Sequence, residues 1–138
     1  MPDPYARPDG VDDATVAATG TLSEALEWVE RARGRLYDFH QMIGHADALL
    51  AVAADALAEA GHIDHADRLR RELVGRNVLR GRWTFQVVEE FDDTYWSPLR
   101  DAERRVRDDL LAGVRHLFEA ELKERTRSDG QPHHERRP

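Results

Sequence analysis

"TLSEALEWVERARGRLYDFHQMIGHADALLAVAADALAEAG", residues 21–61, decides the fold. Its apolar positions are Ala25, Val29, Ala32, Leu36, Phe39, Ile43, Ala46, Leu50, Ala53, Leu57 and Ala60. The steps alternate between four and three without a slip, which is the a/d seam of supercoiled helices and not the twofold alternation of a strand. Thr21 and Glu24 have capping-box spacing at the start, and Gly61 can take the left-handed conformation that ends a helix. The spacing predicts one helix of about forty residues, near 60 Å long at 1.5 Å per residue. Gly34 and Gly44 each cost about 1 kcal/mol relative to alanine, yet the seam passes through both. Half of that seam is alanine, so the helix calls for close neighbours. The fold class expected is all-α: an up-and-down bundle of three to four helices on one long N-terminal spine.

The remaining segments supply those neighbours. Asp64 can cap a second helix with Ile63, Ala66, Leu69, Leu73 and Val74 as its apolar face. Gly75 ends it, and "RNVLRG" reads as a connector. Thr84 caps a short third helix whose inner row is Val87, Val88, Phe91 and Tyr95. "SPLRD" restarts the chain, with Ser97 as N-cap and Pro98 at the first helical position. Leu99, Ala102, Val106, Leu110, Gly113, Leu117 and Phe118 then form the stripe of a last helix reaching about Arg127. Residues 1–20 are rich in proline, glycine and acids, so they read as a disordered acidic arm. Residues 128–138 read as a disordered tail, which leaves 21–127 as a single helical domain.

Bulk composition bounds the function. The chain has 138 residues and a net charge of −7, which argues against general nucleic-acid binding. It has no cysteine, so disulfides, thiolate metal sites and cysteine nucleophiles are excluded. No apolar run is long enough to span a membrane, and residues 1–20 lack the pattern of a secretory signal. A cytoplasmic protein is expected.

Three clusters could carry chemistry. The first is "GRWTFQVVEEFDDTYWSP", residues 81–98, with Trp83, Phe85, Phe91, Tyr95 and Trp96 around Glu89, Glu90, Asp92 and Asp93. Its large rings are expected to seal the core opposite an alanine-lined spine, with Trp83 and Trp96 as interface candidates because tryptophan anchors hot spots. The second is a polar row on the spine, Arg33, Tyr37, His40, Gly44 and Asp47. Tyr37, His40 and Asp47 could form a general base and its orienting carboxylate. His40 and Asp47 with Glu90 and Asp93 could hold a divalent metal, the setting for a metal-dependent hydrolase or oxidoreductase. A di-iron bundle would need two Glu-x-x-His pairs, and the chain has one, Glu59–His62. The third cluster is arginine-rich, and Arg76, Arg80 and Arg82 could grip a phosphate or nucleotide if they converge.

None of these is a complete catalytic apparatus. The expected role is a non-enzymatic interaction or regulatory module that forms a homodimer. That reading requires a second apolar strip on the first or last long helix, left bare within one chain.

Overall fold

The chain, described over Met1–Arg137 in a computed structural model, is all-α with a long N-terminal helix. Its five α-helices are α1 (Asp13–Glu59), α2 (Ile63–Glu72), α3 (Thr84–Phe91), α4 (Ser97–Leu111) and α5 (Leu117–Thr126). A π-helical turn, Asp92–Trp96, lies between α3 and α4. Among the described residues there is no β-strand, only an isolated bridge between Leu79 and Arg82. No helix is long and apolar enough to cross a membrane.

The chain divides into two compact units: Met1–Val29 with Ser97–Pro138, and Glu30–Trp96. In the first unit, α1 begins eight residues before the expected Thr21. Asp12 is the cap: its Oδ1 accepts the Thr15 backbone N–H at 2.8 Å. This bond and the Thr15 hydroxyl hold the Asp12 carboxyl below the usual carboxylate range. Thr21 lies inside the helix and donates its hydroxyl to the Ala17 carbonyl at 3.0 Å. The segment expected to be a disordered arm therefore supplies Val16 and Thr19 to the interior. Val16, Leu111 and Leu117 form the core of this unit, with Val11 and Val114 packed against it. Glu103 is buried as well, accepting the Ser23 hydroxyl at 3.1 Å with Arg107 Nε at 3.4 Å. The expected tail is also tied down. Arg136 pairs with Asp3 at 2.6 Å, and Arg127 donates to the His134 carbonyl at 3.3 Å. Pro138 lies outside the described residues.

The expected last helix is two helices. Ala112, Gly113 and His116 all have positive φ (51°, 77° and 61°), which breaks the stripe between α4 and α5. Glycine takes this conformation freely. The restart at Ser97 is not a break either, because the chain passes from the π-turn straight into α4. The proline ring of Pro98 would clash with the carbonyl four residues back, that of Thr94, in a regular α-helix. Widening the turn at that point relieves the clash.

Gly20 contrasts with the other helical glycines. A Cβ there would meet Cβ and Cγ of Phe118 at 2.9 Å, whereas nothing lies within 4 Å of one added at Gly34 or Gly44. Gly20→Ala should therefore lower stability by roughly 1–2 kcal/mol through overpacking. Gly34→Ala should raise it by about 0.5–1 kcal/mol through helix propensity. Urea unfolding midpoints of the two variants should move in opposite directions. Gly44 also makes no room for a close helix within the chain, since its surroundings are open.

In the second unit, α1 from Glu30 onward meets α2, α3 and the π-turn. Asp55 of α1 pairs with Arg70 of α2 at 2.7 Å. Asp47 Oδ1 accepts the backbone N–H of Gly75, whose φ is +75°, at 2.8 Å. The apolar interior of this unit is small: its buried apolar residues are Ala54, Ala66 and Val88. Of the expected α2 face, Ala66 is buried and Leu69 and Val74 are half-buried, while Ile63 and Leu73 are exposed.

Candidate functional site: a polar clamp beside a bare apolar strip

The polar row lies along α1, and its members are partnered by residues of α3, the π-turn and the segment after α2. Arg33 sets a fork on Asp92, with Nε to Oδ1 at 2.7 Å and Nη2 to Oδ2 at 3.0 Å. The side chains are only 23% and 20% exposed. The same guanidinium lies over the Trp96 ring, 3.9 Å from its centroid, and 5.1 Å from that of Tyr37. Trp96 in turn donates its indole N–H to Glu30 at 2.6 Å. The π-turn makes this arrangement because it carries both Asp92 and Trp96. The Arg33 hydrogen bonds hold the Asp92 carboxyl below the usual carboxylate range, and Asp92 pushes Arg33 up in the same way. One turn along, His40 Nδ1 and the Thr84 hydroxyl are 2.6 Å apart, tying α1 to the start of α3. Trp83 precedes that start, and its backbone N–H donates to Gln86 Oε1 at 2.9 Å.

The sequence candidates are thus dispersed. His40 is bound to Thr84, Asp47 to the Gly75 backbone, and Glu90 is ion-paired with Arg82, while Asp93 is exposed. Among the described residues, no group of three or more His, Asp or Glu side chains could hold a metal ion. Tyr37 receives Arg33 Nη2 at 3.4 Å, so Tyr37, His40 and Asp47 each have a partner outside the trio. The three arginines do not converge: Arg76 donates to the Glu72 carbonyl at 3.4 Å, Arg82 pairs with Glu90, and Arg80 is exposed. Trp96 is half-buried beneath Arg33. Trp83 is exposed and packs on Phe85, with centroids 5.2 Å apart. The expectation that the rings seal the core is overturned, since Trp83, Phe85 and Tyr95 are all exposed and Phe91 is half-buried.

In the first unit a cleft of about 210 Å³ is lined by Ser23, Glu103, Arg107, Arg115 and His116, among others. Glu103 and Arg107, four residues apart on α4, face each other there, with Arg115 and His116 at the same cleft.

What the clamp leaves uncovered is the other side of α1. The long seam splits in two. Leu36, Ile43, Leu50 and Leu57 are half-buried, while Ala32, Phe39, Ala46 and Ala53 are exposed. The exposed positions join Arg35, Met42, Leu49 and Ala56 to make a second row, 32, 35, 39, 42, 46, 49, 53 and 56. This row again steps by three and four, so it is a complete a/d seam, exposed along its length and without a partner helix among the described residues of its own unit. Met42 is 67% exposed and Leu49 55%. Val52, also exposed, flanks the row. Compared with protein-family models, curated proteins and solved structures, the chain matches none.

Proposed function

We propose that the chain is a self-associating helical module of the cytoplasm, a homodimer that serves interaction or regulation and not catalysis. The observation that carries this reading is the exposed strip on α1. The unit Glu30–Trp96 buries two alanines and a valine, yet leaves Phe39, Met42, Leu49 and Val52 open to water. A unit of that size is marginal with such a core. Each large side chain on the strip would gain about 1.5–3 kcal/mol on full burial. A strip this regular, continuous with the half-buried row beside it, offers a helix-shaped seat. The locked ion pairs of the clamp support a structural role for the polar row. The acidic net charge and the absence of cysteine fit a reducing compartment.

Sedimentation velocity over a concentration series tests this. A dimer at low micromolar concentration, with a melting temperature that rises with protein concentration, is expected. A monomer throughout, at concentrations into the hundreds of micromolar, would remove the reading.

A further inference from the structure

The strip is not merely apolar; its order of large, small and charged residues selects one way of pairing. This step rests on the homodimer reading above. Along the row the a positions are Ala32, Phe39, Ala46 and Ala53, and the d positions are Arg35, Met42, Leu49 and Ala56. A parallel pair of copies faces like with like. Arg35 would then meet Arg35 inside the seam, Phe39 would meet Phe39, and Ala46 and Ala53 would leave gaps opposite themselves. Buried like charges oppose that arrangement, as do three large-on-large and four small-on-small layers, where the antiparallel pair has two of each.

An antiparallel pair sets a opposite d. We infer that two copies pack α1 against α1 in this sense about an axis near Gly44, with Met42 over Ala46 and Phe39 over Leu49 of the second copy. Arg35 then lies over Ala53, a small residue that lets its charged end reach water. Its present partner is Asp38 at 3.6 Å, an exposed pair that binds it weakly. One flanking pair agrees. Arg31 and Glu59 lie at opposite ends of the strip on the same flank, so reversal brings the Arg31 of each copy beside the Glu59 of the other. This two-fold complementarity of charge and size is a property of the strip against itself, which is why the occupant is a second copy and not an unrelated helix.

The absence of cysteine makes the test clean. Ala32 and Ala56 face each other across the antiparallel pair, whereas two copies of Ala32 are about 36 Å apart along the axis. Protein carrying Ala32→Cys, protein carrying Ala56→Cys, and an equimolar mixture refolded together are oxidised mildly and resolved on a non-reducing gel. The inference expects a disulfide-linked species from the mixture and none from either variant alone. Linkage of Ala32→Cys to itself would establish a parallel pair, which overturns the inference and leaves the homodimer standing. Dimers in sedimentation with no linkage in any sample would place the interface elsewhere and overturn it too. Wild-type monomer in sedimentation would remove the homodimer reading itself.

Discussion

Replacing Arg33 by alanine is expected to destabilise the unit Glu30–Trp96 by about 3 kcal/mol, measured by urea unfolding. The substitution removes both bonds to Asp92 at once and strands that carboxylate with only a fifth of its side chain exposed. It also withdraws the guanidinium from the faces of Trp96 and Tyr37, contacts worth about 0.5–2 kcal/mol where water is partly excluded. Arg33→Lys keeps the charge but has neither the planar fork nor the stacking surface, so it should recover less than half of the loss. A result in which Arg33→Ala unfolds with the wild type would mean that α3 and the π-turn are held by their other contacts, the His40–Thr84 and Trp96–Glu30 bonds among them.

The same pair fixes a pH dependence. The Asp92 carboxyl lies lower in the folded chain than its ordinary value of 3.8, because Arg33 bonds the ionised form. Its contribution is therefore complete above the ordinary carboxylate range and is lost as pH falls through the depressed folded value. The gap between wild type and Arg33→Ala should be widest near neutrality and narrow at strongly acid pH to what the aromatic contacts alone contribute. In an Asp92→Asn background, adding Arg33→Ala should cost the same at both pH values, since the titrating group is gone.

How much of this was legible from the residues differs by element. The all-α class and the long helix follow from the spacing of apolar positions between Ala25 and Ala60, and the turn at Gly61 (φ +92°) follows from the glycine. The start at Asp12 is masked by the capping-box spacing of Thr21 and Glu24, which lies inside the helix, one residue after the Gly20 that Phe118 packs against. The seam itself was read as one interface. Periodicity marks which positions are apolar but not which neighbour covers them, and here α1 carries two adjacent rows, one of which its own chain leaves bare. The polar row from Arg33 to Asp47 was visible on one face, while Asp92, Thr84 and Gly75 lie far along the chain and no local pattern links them to it. The short distance from Phe91 to Tyr95 suggested an inward pair. The π-turn rotates that stretch, so the two rings pack at 5.7 Å with Tyr95 in solvent.

The strip gives the second large effect: Leu49→Glu should weaken self-association by at least a hundredfold. In the antiparallel pair each Leu49 faces Phe39 of the other copy, so one substitution spoils two layers. Losing a large apolar contact costs about 1.5–3 kcal/mol, and every 1.4 kcal/mol is tenfold in affinity. Bringing a carboxylate into each of those layers adds a desolvation cost, which Arg35 of the second copy, one layer away, offsets in part. Within a single chain the change should be nearly silent, because Leu49 is already more than half exposed and surface substitutions mostly fall within about 0.5 kcal/mol. Gln41→Glu adds the same charge to an exposed residue of the same helix outside the strip, and should leave the dimer unchanged. Sedimentation equilibrium on the three proteins, with circular dichroism to confirm equal helicity, separates the outcomes. If Leu49→Glu dimerises like the wild type, the strip is not the interface. If it loses helicity as a monomer, Leu49 supports its own chain and not a second copy.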